Sequence, residues 1–155
     1  GESFQWFELT SIAPDKIGEG LKLAGPYLNF YIDSVCKNYN LSNEKIFFVG
    51  FSQGTMMALY HLCKRKLKCG GLVGFSGLLF EDENFDKDIL SKFPITLYHG
   101  KNDEVINYEF TIKAHKKLSE LGFEINYNLS DLLGHGIDEK GISIGESFIK
   151  KFFYI

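Results

Sequence analysis

The stretch Ile46-Phe47-Phe48-Val49-Gly50-Phe51-Ser52-Gln53-Gly54 sets the fold of this chain. Its apolar, partly β-branched start reads as a buried strand. Gly-x-Ser-x-Gly follows at once, and a helical pattern opens near Gln53. In the order strand, glycine-flanked serine, helix, this motif describes a very tight turn. Side chains at Gly50 and Gly54 would clash there, and the serine hydroxyl is lifted clear of the sheet edge. The helix that begins at this point aims its first N–H groups at the serine and favours negative charge beside it. The motif alone is weak; its meaning depends on what lies around it.

Downstream, Met56, Leu59, Tyr60 and Cys63 share one face of a helix running to about Arg65. Gly70-Gly71 ends that connection, and strands follow at 72–75, 95–98 and 123–129. Residues 77–93 between them read as irregular and acidic. Phe110, Ala114, Leu118 and Leu121 mark another helix, stopped by Gly122. A last helix begins near Asp138, with Ile142, Ile149 and Phe152 inward. Upstream, Gly18, Gly20 and Gly25 weaken a helix over 15–24. Pro26 then fits the first turn of a better one that carries Leu28, Ile32, Val35 and Tyr39 to about Asn40. Strands alternating with helices predict an α/β domain with a parallel sheet of about four strands and right-handed crossovers. Ligands in such sheets sit beyond the carboxyl ends of the strands, a rim that carries Ser52, Ser76 and His99.

The 155 residues suffice for one domain, taken as 1–155, and 45% hydrophobic against 24% charged residues is a globular balance. Net charge is −3 and Arg65 is the only arginine, which argues against a nucleic-acid partner. The run Lys64-Arg65-Lys66-Leu67-Lys68 reads as a solvated helix end, where cations suit the dipole. Cys36, Cys63 and Cys69 form no Cys-x-x-Cys pair and read as reduced, mostly buried thiols. Without a leader or an apolar run of spanning length, the expectation is a cytoplasmic protein with no stable membrane insertion. No His, Cys, Asp or Glu cluster has metal-ligand spacing, so neither metal nor cofactor is expected.

A serine nucleophile needs a base to take its proton, and the base needs a carboxylate to fix its tautomer. Candidates lie just beyond the third and fourth strands: His99-Gly100-Lys101-Asn102-Asp103-Glu104-Val105-Ile106 and Gly134-His135-Gly136-Ile137. Each has a plainer rival. Ser76 is one position off for a nucleophile turn and reads as a small residue at a strand end. His99 would precede the acid in chain order and reads as a support for the turn carrying Asp103. His61 and His115 lie on helices as packing or surface residues. Glu104 reads as solvated, and Asp131 as limited to a local contact with His135.

Gly-Phe-Ser-Gln-Gly, His-Gly-x-x-Asp-x-Val and Gly-His-x-Ile, in this order, resemble the carboxylesterase and acyl-protein thioesterase (phospholipase/carboxylesterase) family of α/β-hydrolases. Gln5-Trp6-Phe7 and Ser76-Gly77 add to the resemblance. It implies a serine hydrolase acting on short or medium acyl esters or thioesters. Ser52 would be the nucleophile, Asp103 the triad acid and His135 the base, with the Gln53 amide as an oxyanion donor. Phe51, Leu78, Leu79 and Phe80 would be pocket walls; Trp6 reads equally as a wall or a core anchor. The family's domain starts earlier, with further strands and a His-Gly-x-Gly-like oxyanion loop, neither of which precedes Ser52 here. The expectation is therefore a partial α/β-hydrolase fold lacking its N-terminal strands and covering about the last two-thirds of the domain. Such a chain would have half an oxyanion hole and an open edge at 46–49, which invites a homodimer or a separate N-terminal piece. The alternative function is a catalytically impaired fragment of such a hydrolase.

Overall fold

The computed structural model describes residues 4–9 and 11–153. Four strands form one sheet in the order β1 (Phe47–Phe51), β2 (Gly71–Phe75), β3 (Ile95–Gly100) and β4 (Ile125–Ser130), with every neighbouring pair parallel. The helices are α1 (Pro14–Tyr39), α2 (Gln53–His61), α3 (Glu109–Glu120) and α4 (Glu139–Phe153). The α/β architecture expected from the sequence, about four parallel strands with flanking helices, is the one observed.

The faces of the sheet explain why the strands read as they do. On β2, Leu72 points into a core shared with α1, α2 and α3, while Val73 and Phe75 join Tyr98 and Phe148 beneath α4. Both faces of β2 and β3 are covered, so every residue of the two strands is buried; β2 is apolar throughout, and β3 buries Thr96 and His99 among its apolar residues. β1 differs. Its outer edge pairs with nothing among the described residues, and Val49 is 64% exposed beside a groove of about 600 Å³. Val73, Phe75, Ile142 and Ile149 are among the other residues that line that groove.

The N-terminal helix departs from the sequence reading. α1 is one helix of 26 residues with Pro26 inside it, not a weak segment followed by a fresh start. Its glycines are contact points: Phe80 lies against Gly18, Phe7 against Gly20 and the His61 ring against Gly25. Each glycine costs about 1 kcal/mol of helix propensity and the internal proline about 3 kcal/mol. Burial of Ile17, Leu21, Leu28 and Ile32, at about 1.5–3 kcal/mol each, outweighs this. α2 ends at His61, short of the expected Arg65, and passes into a 3-10 turn over Leu62–Lys64.

The basic run after α2 divides: Lys66, Leu67 and Lys68 are exposed, as the solvated reading expects, whereas Lys64 and Arg65 are partly buried and bonded within the fold. Lys64 pairs with Asp88 at 3.1 Å, and Arg65 reaches Asp33, Asn29 and Asn43. The acidic segment 77–93 is held the same way, with Asp82 near Lys22 and both Glu81 and Asp86 on Lys117. Phe85 plugs this segment into the core and stacks on Tyr60. Cys36, Cys63 and Cys69 are free thiols, and burial pushes Cys63 and Cys69 up to about 12, which makes them inert at neutral pH. No helix among the described residues is long and apolar enough to cross a membrane.

Candidate active site

The turn from β1 to α2 holds Ser52 at φ 51° and ψ −114°, a conformation that non-glycine residues seldom adopt. Three bonds hold the turn in place. The Ser52 amide donates to the Phe75 carbonyl at 2.9 Å, extending the sheet ladder by one step. Thr55 Oγ1 donates to the same carbonyl at 2.8 Å, and the Thr55 amide returns to the Ser52 carbonyl at 3.0 Å. A Cβ at Gly50 would stand 2.7 Å from the Thr55 nitrogen, so this position has no room for a side chain. Gly54 is different from the expectation: a Cβ there meets nothing within 4 Å. The first amides of α2, on Gln53 and Gly54, have no acceptor within the helix.

The loops after β3 and β4 are built against each other. The Leu133 carbonyl lies on Gly100, whose missing side chain permits the approach, and accepts the Asn102 amide at 3.0 Å. The Lys101 amide donates to the Ser130 carbonyl at 2.8 Å, and Lys101 Nζ meets Asp131 at 2.6 Å. This clamp brings His135 Nδ1 to 2.7 Å from Asp103 Oδ2. Asp103 Oδ1 accepts the amides of Val105 at 2.9 Å and Ile106 at 2.8 Å. Burial opposes the Asp103 charge. The Ile106 amide, His135 and the Val105 amide outweigh it and hold the carboxyl below its usual value. It is therefore an ionised acceptor at neutral pH, and His135 Nδ1 is a donor. The other nitrogen, Nε2, is left without a hydrogen bond among the described residues. The His135 ring lies 4.9 Å from that of Phe51, the residue before Ser52. No hydrogen bond joins His135 to the Ser52 hydroxyl in this arrangement; such bonds often tighten only with substrate in place.

A cleft of about 500 Å³ opens beside the serine, with Trp6, Leu9, Val49, Phe51 and Gln53 among its walls. Trp6 is 43% exposed, so it is a wall rather than a core anchor; Phe7 takes the core position. Leu78, Leu79 and Phe80 do not line this cleft. Leu78 is buried, and Leu79 and Phe80 pack on the core, Phe80 against Gly18 and Tyr60. Their apolar character reflects packing between α1 and α2.

A family model described as Phospholipase/Carboxylesterase matches residues 1–153. The chain belongs to the phospholipase/carboxylesterase family. Among curated relatives, acyl-protein thioesterase 1 of Gibberella zeae is 25% identical over 94% of this chain and 67% of its own length. Acyl-protein thioesterase 1 of Candida albicans is 30% identical over 72% of this chain and 52% of its own length. The chain thus spans from about half to two thirds of these relatives. The crystal structure of esterase PE8 superposes with a TM-score of 0.91 at 29% identity, covering 96% of this chain and 70% of that one. Acyl-protein thioesterase 2 of Zea mays shares the fold, with a TM-score of 0.74 at 21% identity, covering 94% of this chain and 71% of that one.

The remaining sequence candidates separate cleanly within this family fold. Ser76 also has a positive φ, 47°, but it is 1% exposed and its hydroxyl donates to the Gly136 carbonyl at 3.4 Å. It supports the loop of His135 and is closed to a substrate. His61 donates to the Leu21 carbonyl at 2.8 Å, and His115 packs on Tyr127. Glu104 is exposed, and Asp131 pairs with Lys101. His99 is wholly buried and bonds Asp103 at 3.0 Å. Burial keeps its ring below the usual histidine value, so this contact is a neutral hydrogen bond, not an ion pair.

Sequence reasoning missed the side chain of Gln53. Its Oε1 accepts the Trp6 amide at 2.6 Å and its Nε2 donates to the Phe7 carbonyl at 2.8 Å, tying the segment around Trp6 to the serine turn. Thr111, which bonds His99 at 2.7 Å, was missed as well. Neither pairing has a short-range signal. Among the described residues no group of three or more His, Cys, Asp or Glu could hold a metal ion.

Proposed function

We propose that this chain is a serine hydrolase acting on short or medium acyl esters or thioesters. The observation that carries the reading is the His135 Nδ1 to Asp103 Oδ2 bond of 2.7 Å beside a serine held at positive φ. Ser52 Oγ attacks the substrate carbonyl carbon while His135 Nε2 takes its proton. Asp103 stays ionised and stabilises the imidazolium. The Gln53 amide donates to the oxyanion. The tetrahedral intermediate collapses, the carbon–oxygen or carbon–sulfur bond to the leaving group breaks, and His135 returns the proton to the departing alcohol or thiol. Water, deprotonated by His135, then attacks the acyl-Ser52 carbonyl and releases the carboxylic acid and the free serine. The apolar walls of the cleft, Trp6, Leu9 and Phe51, favour an aliphatic acyl group over a charged one.

A second reading is favoured by the open space at Gly54 and by the edge of β1, which is unpaired among the described residues. In it, residues 1–155 turn over poorly by themselves for want of a second oxyanion donor, a loss of about 3 kcal/mol. The chain would then pair with a second copy, or with a further polypeptide segment, along β1. A cytoplasmic location completes the proposal and is supported by the three free thiols.

The test is hydrolysis of p-nitrophenyl acetate and butyrate by the wild type and Ser52→Ala. Turnover present in the first and absent in the second is the expected result. Equal rates would dispose of the catalytic role of Ser52. Labelling of Ser52 by a fluorophosphonate without measurable turnover would select the second reading.

A further inference from the structure

Asp103 Oδ2 accepts two imidazole N–H groups, from His135 at 2.7 Å and from His99 at 3.0 Å. His99 Nε2 faces a second acceptor, the Ile106 carbonyl at 2.9 Å, so that nitrogen must carry the proton. Nδ1 is then the acceptor, and the Thr111 hydroxyl on α3 donates to it at 2.7 Å. The opposite tautomer would set a lone pair against two oxygens. Thr111 is 3% exposed and His99 0%, so water does not compete for these bonds.

The carboxylate of Asp103 has two ends to fix. The Val105 and Ile106 amides hold Oδ1 only. Oδ2 needs its own anchor if the plane is not to rotate. His135 cannot supply it, because its side chain is 20% exposed on a loop and, under the hydrolase reading, gains and loses a proton in each cycle. His99, buried at the end of β3 and uncharged throughout, can.

We propose that His99, set in its Nε2–H tautomer by Thr111, is a positioning residue that fixes the rotation of the Asp103 carboxylate and thereby the aim of His135 at Ser52. This rests on the serine hydrolase reading. Removing the Nε2–H donor leaves the residues of the cleft in place but loosens the Asp103–His135 bond. Its signature is a fall in kcat with little change in KM, and faster exchange of the His135 Nδ1 proton.

The experiment compares His99→Leu with His99→Gln, and Thr111→Val with Thr111→Ser. Glutamine places an N–H donor near the position of Nε2; serine keeps the hydroxyl. Two readouts are taken: kcat and KM on p-nitrophenyl butyrate, and the downfield His135 Nδ1 proton in NMR spectra of the chain, which has four histidines in all. His99→Leu and Thr111→Val should lower kcat by about tenfold to a hundredfold. KM should stay within about twofold, and the Nδ1 proton should broaden. The glutamine and serine variants should restore both. A folded His99→Leu variant with wild-type kcat and an unchanged Nδ1 proton overturns the proposal, as does a loss in His99→Gln as deep as in His99→Leu. If His99→Leu does not fold, Thr111→Val, which keeps the ring, decides alone. If the wild type shows no turnover, the hydrolase reading fails, and the Nδ1 proton still decides whether His99 positions His135.

Discussion

The Leu133 carbonyl rests on Gly100, and through that contact the two loops bearing Asp103 and His135 meet. A side chain at position 100 has nowhere to go: besides Leu133, the Gly134 oxygen would lie 2.6 Å from its Cβ. Gly100→Ala should therefore push the loop of His135 outward while leaving the sheet intact. A displacement of about 1 Å can cost a hundredfold in rate, so labelling of Ser52 by a fluorophosphonate should slow by tenfold or more. Circular dichroism should remain that of the wild type. Labelling at the wild-type rate in a folded Gly100→Ala variant would show that the loop contact does not set the geometry of the site.

Acid should act on this fold in two steps. His99 and His61 are both held below the ordinary histidine value, His99 and His61 alike chiefly by burial. In the unfolded chain they take protons near pH 6.5, in the folded one only at lower pH. The unfolded state then binds more protons, and stability falls as the pH drops below about 6.5. Asp103 adds the second step. Its folded carboxyl lies below the usual value, so its contribution is present above about pH 3.9 and is lost as the pH falls through the folded value. Urea midpoints taken from about pH 7.5 down to pH 5 should decline in the wild type. They should decline less in His61→Gln, whose carboxamide can still donate to the Leu21 carbonyl without titrating. Midpoints independent of pH over that range would remove the histidines from the account.

Which parts of this were legible in the sequence follows from range. The strands were read from short apolar runs, and β2 had no polar residue to interrupt its run because both its faces are covered. Ser52, Asp103 and His135 stand beyond strand ends, where chain order alone suggests a rim. The same logic failed for α1, where glycine propensity pointed to a break. The glycines are there because Phe7, Phe80 and His61 approach the helix backbone, and those contacts come from 7 to 80 in the numbering. The apolar run Leu78-Leu79-Phe80 announced burial but not its partner, and α1 rather than the cleft proved to be that partner. Gly54 read as sterically required, yet it borders open space. The Gln53 and Thr111 side chains act across sequence separations of 46 to 47 and 12 residues, and only the packed structure brings their partners into reach.

The outer edge of β1 predicts an oligomeric state. Its backbone groups have no strand partner among the described residues, and Val49 at its centre is largely exposed beside the apolar groove under α4. Unprotected edges of this kind pair with other strands, and an edge lysine blocks them. Light scattering at micromolar concentration should show a dimer for the wild type and a monomer for Val49→Lys. A wild-type monomer at that concentration would remove the second copy as the partner of this edge.

Trp6 offers a direct report on the cleft because it is the only tryptophan in the chain. Its backbone amide is held by Gln53 Oε1 at 2.6 Å, and the neighbouring Phe7 carbonyl by Gln53 Nε2 at 2.8 Å. Gln53→Ala deletes both bonds, each worth about 0.5–1.5 kcal/mol, but keeps the backbone amide proposed as the oxyanion donor. The segment carrying Trp6 should then loosen from the serine turn. Tryptophan emission should shift to the red as the ring becomes wetter, and KM for p-nitrophenyl butyrate should rise more than kcat falls, since a wall of the cleft is lost rather than a reacting group. Gln53→Glu should behave similarly, because its carboxylate can accept from Trp6 but cannot donate to Phe7. Unchanged emission and KM in both variants would mean that the carboxamide does not hold the wall. A fall in kcat with KM constant would instead mark the side chain as a support of the oxyanion turn.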